Sequence, residues 1–282
     1  MKSRYDERDK ERETVDELED NLNDAVTSEA EVEDCENKVY NLLAGYVDEN
    51  GTEHKTFTIR EMTGKDEEAI HKSDVKSNGS KVISTLLCRC VMSIGDIEKK
   101  DVSPKEWENI IKSLYTGDQD IILLEIRKNS IGTTLEADHV CPNPDCKTKL
   151  RTIIDMDELE IRPFSGMREI PFTLIKGYTD KKGVTHKEGF MRMPNGTDRE
   201  VLTPLAKRNL ARAETVMLTR ICRFSDGAFI DDSVMSNLTT KDRNYLIKLM
   251  QDNSFGIEMT ADVTCDTCGE EFKVNLNVTN FI

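Results

Sequence analysis

Gly45-Tyr46-Val47-Asp48-Glu49-Asn50-Gly51-Thr52-Glu53-His54-Lys55 returns as Gly177-Tyr178-Thr179-Asp180-Lys181-Lys182-Gly183-Val184-Thr185-His186-Lys187, an offset of 132. The correspondence continues: Arg60 matches Arg192, Gly64 matches Gly196 and Asp66 matches Asp198. Further along, Thr116, Asp118, Ser130, Gly132 and Cys141 match Thr240, Asp242, Ser254, Gly256 and Cys265 at an offset of 124. Matches this numerous and this widely spaced read as an internal duplication, which decides the fold before any local propensity does. The expected organisation is an acidic arm over residues 1–38, repeat one over 39–162 and repeat two over 163–282.

Two copies check each other's local reading. Tyr40–Ala44 and Phe172–Lys176 predict strands. Asp48-x-x-Gly51 and Asp180-x-x-Gly183 predict hairpin turns in which glycine supplies a positive φ. Return strands are expected over Phe57–Met62 and Phe190–Met193. Thr63…Asp66 and Asn195…Asp198 resemble capping boxes, so those two aspartates read as caps and not as catalytic carboxylates. A middle helix is expected over Lys81–Ile94 and Ala211–Phe224. A third begins after Thr116 and Thr240, each read as an N-cap, and stops at Gly132 and Gly256. Each repeat then closes with strand, cysteine turn, strand: Thr133–Val140 and Leu150–Met156 in one, Ile257–Thr264 and Glu271–Val278 in the other. The fold class is therefore α+β, as two tandem related repeats joined by a zinc-ribbon-like site.

The cysteine turns carry the chemistry. Cys141-Pro142-Asn143-Pro144-Asp145-Cys146 is C-x4-C and Cys265-Asp266-Thr267-Cys268 is C-x2-C. Four soft thiolates are what a tetrahedral zinc ion takes, and two knuckles facing each other supply them. A four-cysteine shell leaves no position open for water, so the expected role is structural: Zn²⁺ on Cys141, Cys146, Cys265 and Cys268. Gly269 suits the tight turn after the second pair, and Lys147 stands at the matching place after the first. Other readings are redox dithiols, or two separate metals, with His139 as a further ligand. Cys88, Cys90 and Cys222 read as buried thiols on the middle helices. His54 and His186 read as a shared surface position that could bind metal between repeats. No Ser/His/Asp set, phosphate loop or H-E-x-x-H pattern stands out, and no enzymatic activity is expected.

Charge narrows the partners. Asp and Glu number 54 against 39 Lys and Arg, a formal net charge of −15 over 282 residues. A phosphate backbone is repelled by that average field, and no basic stripe interleaved with aromatics offsets it, so nucleic-acid binding is not expected. No run of apolar residues long enough to span a bilayer and no signal peptide is read, which predicts a soluble protein made in the cytoplasm. Much of the acidity sits in the first ~35 residues. Val15, Leu18, Leu22 and Val26 recur there at helical spacing, as in a thin amphipathic helix; the alternative is a disordered acidic tail, and a helix that orders only against a partner satisfies both.

Three stretches carry a family likeness. They are Phe57-Thr58-Ile59-Arg60-Glu61-Met62-Thr63-Gly64-Lys65-Asp66-Glu67-Glu68, then Gly117 to Gly132 leading into the Cys141 turn, and Met193-Pro194-Asn195-Gly196-Thr197-Asp198-Arg199-Glu200. With these in order the chain resembles the T4-type phage baseplate protein family, the group that includes baseplate hub assembly proteins. The resemblance implies a non-enzymatic role in building the baseplate of a contractile phage tail. Its partners would be other baseplate or tail proteins, met through the acidic arm, in the host cytoplasm during assembly or in the virion baseplate. The competing expectation is a zinc-ribbon adaptor in transcription or nucleic-acid handling. It would need Lys147, Lys149, Arg151 and Lys273 to form a basic face.

Overall fold

The computed structural model describes residues 38–258 and 260–276; the acidic segment before Lys38, with Val15, Leu18, Leu22, Val26 and Cys35, lies outside them. The described chain is mixed α+β, with several small sheets and nine α-helices.

β1 (Val39–Val47) and β2 (Glu53–Ile59) form an antiparallel hairpin, extended by β3 (Val91–Ile94) and β4 (Ile97–Glu98) in the order β1-β2-β3-β4. The turn closes as its residues demand: Asp48 accepts from the backbone N–H of Asn50 and Thr52, and Gly51 takes φ 82°. Between Asn41 and Tyr46 the ladder breaks register. Such a bulge leaves backbone N–H groups without strand partners, and burying them unpaired would be costly. Asp118, fully buried on α5 (Thr116–Ser130), accepts from Leu43, Ala44 and Gly45 at 2.6, 3.1 and 3.0 Å.

The same device occurs in the second half of the chain. β8 (Ile170–Thr179) and β9 (Thr185–Met191) form a hairpin that β10 (Cys222–Phe224) extends, and its register breaks between Thr173 and Tyr178. Asp242, fully buried on α9 (Thr240–Asp252), accepts from Ile175, Lys176 and Gly177 at 2.6, 3.2 and 3.2 Å. Both bulges need glycine. Gly45 and Gly177 sit at φ 77° and 81°, where a Cβ would lie 2.6 and 2.5 Å from the carbonyl oxygens of His54 and His186.

The remaining helices are α1 (Gly64–Ile70), α2 (Ser73–Lys76), α3 (Gly79–Cys90) and α4 (Pro104–Ser113) in the first half. The second half holds α6 (Gly196–Arg208), α7 (Leu210–Ile221) and α8 (Asp232–Asn237). Capping boxes start α1 at Thr63/Asp66 and α6 at Asn195/Asp198, as the sequence predicts.

Several boundaries differ from expectation, the return strands and the Cys265 hairpin by a few residues and the helices as follows. The middle helices stop at Cys90 and Ile221, and the apolar residues after them become β3 and β10, because pairing with β2 and β9 satisfies their backbone in the interior. The third helices are capped by Tyr115 and Thr239, not by Thr116 and Thr240. Gly256 is not a helix C-cap: α9 ends at Asp252, and Gly256 lies where a Cβ would come within 2.7 Å of Gly117 Cα.

Each half has its own core, one built around Phe57, Leu87, Ile111 and Ile122, the other around Phe172, Met191, Leu218 and Leu246. The halves meet through α6, which lies on first-half helices. Gly196 N–H donates to Leu114 O, Thr116 N–H donates to Pro194 O, and Arg199 pairs with Asp120 at 2.7 Å. A third, smaller core of Leu124, Leu135, Ala137, Ile154, Met156, Leu159 and Leu276 seats the cysteine hairpins against α5, and Ile257 of the short antiparallel pair β7 (Ile161–Arg162) and β11 (Gly256–Ile257) packs on it.

Candidate metal centre

β5 (Thr134–Val140) and β6 (Lys149–Asp155) pair in register from Thr134/Asp155 to Val140/Lys149, and Cys141–Cys146 fills the turn. β12 (Thr260–Thr264) and β13 (Glu271–Asn275) pair likewise around Cys265–Cys268. Cys141 N–H donates to Thr148 O at 2.9 Å and Cys265 N–H to Glu270 O at 2.8 Å, so each first cysteine is held at its strand end. Within each turn the chain folds back on itself: Lys147 N–H donates to Asn143 O and Gly269 N–H to Cys265 O. Both knuckles then take a left-handed residue straight after the second cysteine, Lys147 at φ 49° and Gly269 at φ 74°. Lys147 is the sole non-glycine with positive φ among the described residues. A side chain in that region costs about 1 kcal/mol, which the knuckle geometry imposes on it.

The structure brings all four predicted cysteines together. Their Sγ atoms lie within 4.8 Å of one another. Cys141 faces Cys268 at 3.6 Å and Cys146 faces Cys265 at 3.8 Å, so each close pair joins the two knuckles. Ligands about 2.3 Å from a central ion at tetrahedral angles stand about 3.8 Å apart, and disulfide sulfurs about 2.05 Å. The four thiols are thus spaced as a tetrahedral shell and could hold a metal ion.

Electrostatics point the same way. The Thr148 hydroxyl, 3.1 Å from Cys146 Sγ, and its backbone pull that thiol down to about 7. The Glu270 backbone favours the Cys268 thiolate, but partial loss of water around the sulfur and the other three sulfurs outweigh it and push Cys268 up to about 12. Four thiolates at this distance repel one another, and a cation among them is what allows all four to ionise. Cys141 and Cys265 are buried, while Cys268 is exposed, so the site lies at the surface end of the hairpins.

The other candidate residues fall elsewhere. His139 stands apart from the sulfurs, with its Nε2 3.2 Å from Thr152 Oγ1 and its ring edge-on to Phe272 of the other hairpin. Of the four basic residues Lys147, Lys149, Arg151 and Lys273, Arg151 pairs with Asp138 and Glu136, and Lys273 with Asp262. Cys90 and Cys222 are buried and Cys88 half-buried, pushed up by burial to about 11, about 12 and about 12. Cys222 opens β10 instead of lying on a helix. His54 and His186 are buried rather than at the surface. Each stands 3.7 Å from the aspartate of its own turn, Asp48 or Asp180, and His186 also bonds Asp226 at 2.6 Å.

Sequence reasoning missed one repeated arrangement. Asp66 binds Arg60 and Arg89, and Asp198 binds Arg192 and Arg220, all at 2.6 or 2.7 Å. The matching of Arg60 with Arg192 was the available signal.

The family model described as T4 bacteriophage base plate protein matches residues 46–190, just over half of the chain. No curated protein and no solved structure matches.

Proposed function

The chain belongs to the T4 bacteriophage base plate protein family, and on that footing we propose that it is a non-enzymatic structural or assembly protein of a contractile-tail baseplate, hub assembly included, stiffened by one structural zinc ion. The observation that carries the metal reading is the placement of four Sγ atoms within 4.8 Å, two from each knuckle. Neither knuckle completes a tetrahedral shell alone, so an ion bound there clamps 39–162 to 163–282. A four-sulfur tetrahedron also suits iron, and zinc is preferred because the site needs no redox role.

The division into an acidic arm (1–38) and two repeats is part of the same reading. It is supported by the paired bulges on Asp118 and Asp242, the paired capping boxes and the paired Asp–Arg clusters. Partners would be other baseplate or tail proteins, met in the host cytoplasm during assembly. The pairing of Arg151 and Lys273 with carboxylates weighs against the zinc-ribbon adaptor.

Elemental analysis should find one zinc and no iron per chain. Phage encoding Cys141→Ser/Cys146→Ser should give tails with defective baseplates. Mass spectrometry of purified wild-type particles then separates a virion component from a transient assembly factor. Normal baseplates from the double variant would overturn the reading.

A further inference from the structure

Against a formal charge of −15, one groove of about 630 Å³ runs the other way. It lies between α3 and α4, with the turn from α1 into α2 along one rim. Val75, Ser84, Cys88 and Trp107 line its floor. The Trp107 indole N–H donates to Cys88 O at 3.2 Å and so ties α4 to α3 beneath the groove.

Five cations line it, and two are already committed. Arg89 binds Asp66, and Lys112 binds both Glu108 and Glu200. Lys72, Lys81 and Lys99 make no ion pair among the described residues, and Asp74 is the one lining carboxylate outside an ion pair. Lys99 points its ammonium at Arg89 O, 2.9 Å away. Burial, with Arg60 and Arg89 nearby, pulls it below its ordinary value, as befits a cation lacking a carboxylate.

We propose that this groove receives an acidic amphipathic helix from a partner chain, its apolar face on the half-buried Val75, Cys88 and Val102 above the buried Trp107 ring, and its carboxylates on Lys72, Lys81 and Lys99. Charge chooses the occupant: in a strongly acidic protein, uncompensated lysines around an apolar floor favour an anionic partner and reject a basic one. The groove does not depend on the metal centre, and either can fail without the other.

Trp107 is the only tryptophan in the chain, so its emission reports on the groove directly. The full chain is titrated with a synthetic helical peptide of glutamates with leucines at i, i+3, i+4 and i+7, and with its twin carrying lysine in place of glutamate. The acidic peptide should give a saturable emission change that weakens with salt. Lys72→Glu/Lys81→Glu should bind it about tenfold more weakly, with unchanged circular dichroism because both side chains are exposed. No response to the acidic peptide, an equal response to its lysine twin, or undiminished affinity in the double variant overturns the proposal. A salt-dependent emission before peptide is added would mean that the chain's own acidic residues fill the groove, and would overturn the assignment to a partner.

Discussion

The carboxylates of Asp66 and Asp198 each serve two arginines and a capping box, and both side chains are fully buried. Hydrogen bonds from Arg60, then Thr63 and Arg89, outweigh burial and hold the Asp66 carboxyl well below the usual carboxylate range. For Asp198 burial opposes, but Arg192, Asn195 and Arg220 prevail and lower it too. A carboxyl whose folded value is depressed contributes stability above its unfolded value, near 3.9, and loses it as pH falls toward the folded one. Urea titrations from neutral pH down to about pH 3 should therefore show an acid limb that is shallower in Asp66→Asn/Asp198→Asn. Asp66→Ala at neutral pH should cost about 2–3 kcal/mol, combining the lost cap with the broken ion pairs. His186 works in the opposite sense. Its bond to Asp226 raises it above its ordinary value, so its contribution is full below about pH 6.5 and fades as pH climbs through the raised value. His186→Gln should remove that alkaline decline in thermal melts; an unchanged decline would assign it elsewhere. The caps were legible in the sequence and the matching of Arg60 with Arg192 pointed to one arginine, but the second was not, since Arg89 lies 23 residues from Asp66 and nothing local joins them.

Among the elements, the matched glycines at the starts of α1 and α6 make a controlled comparison. A Cβ on Gly64 meets nothing within 4 Å, whereas one on Gly196 would lie 2.0 Å from Gln119 Nε2. Gln119 is fully buried and donates to Ile111 O, so it has nowhere to retreat. Gly64→Ala should be neutral or stabilising by up to about 1 kcal/mol through helix propensity. Gly196→Ala should cost about 1–3 kcal/mol by overpacking the contact between the halves. Equal denaturation midpoints for the two variants would contradict this. Sequence matching sets Gly64 beside Gly196, each the first residue of its helix, yet could not foresee their different duties, because only Gly196 packs on Gln119 of α5. The same limit explains β3 and β10. Val91–Ile94 and Cys222–Phe224 continue an apolar run, which reads as helix until a neighbouring strand is there to claim its backbone. The cysteine hairpins were legible because their spacing encodes local geometry, and the left-handed residue after each knuckle went with it.

Over the whole molecule, two cores stand on their own sides and the four-cysteine cluster draws two thiols from each half. Removing the proposed ion with a chelator should leave helical circular dichroism largely intact while the cysteine hairpins lose amide protection. Cys265→Ser/Cys268→Ser should likewise loosen residues 141–156, which it does not touch chemically. Protection there at the wild-type level would mean that the knuckles do not share an ion. One further consequence follows from the 119 residues that separate Cys146 from Cys265. A ribosome adding about 5–20 residues per second makes that stretch in roughly 6–24 s. Throughout that interval a nascent chain carries the first knuckle pair, Cys141 and Cys146, without the second. On a crowded polysome the missing pair can come from a neighbouring chain before the chain's own pair exists, so with the proposed shared site, zinc supplied too early would cross-link newborn molecules that zinc supplied late would close individually.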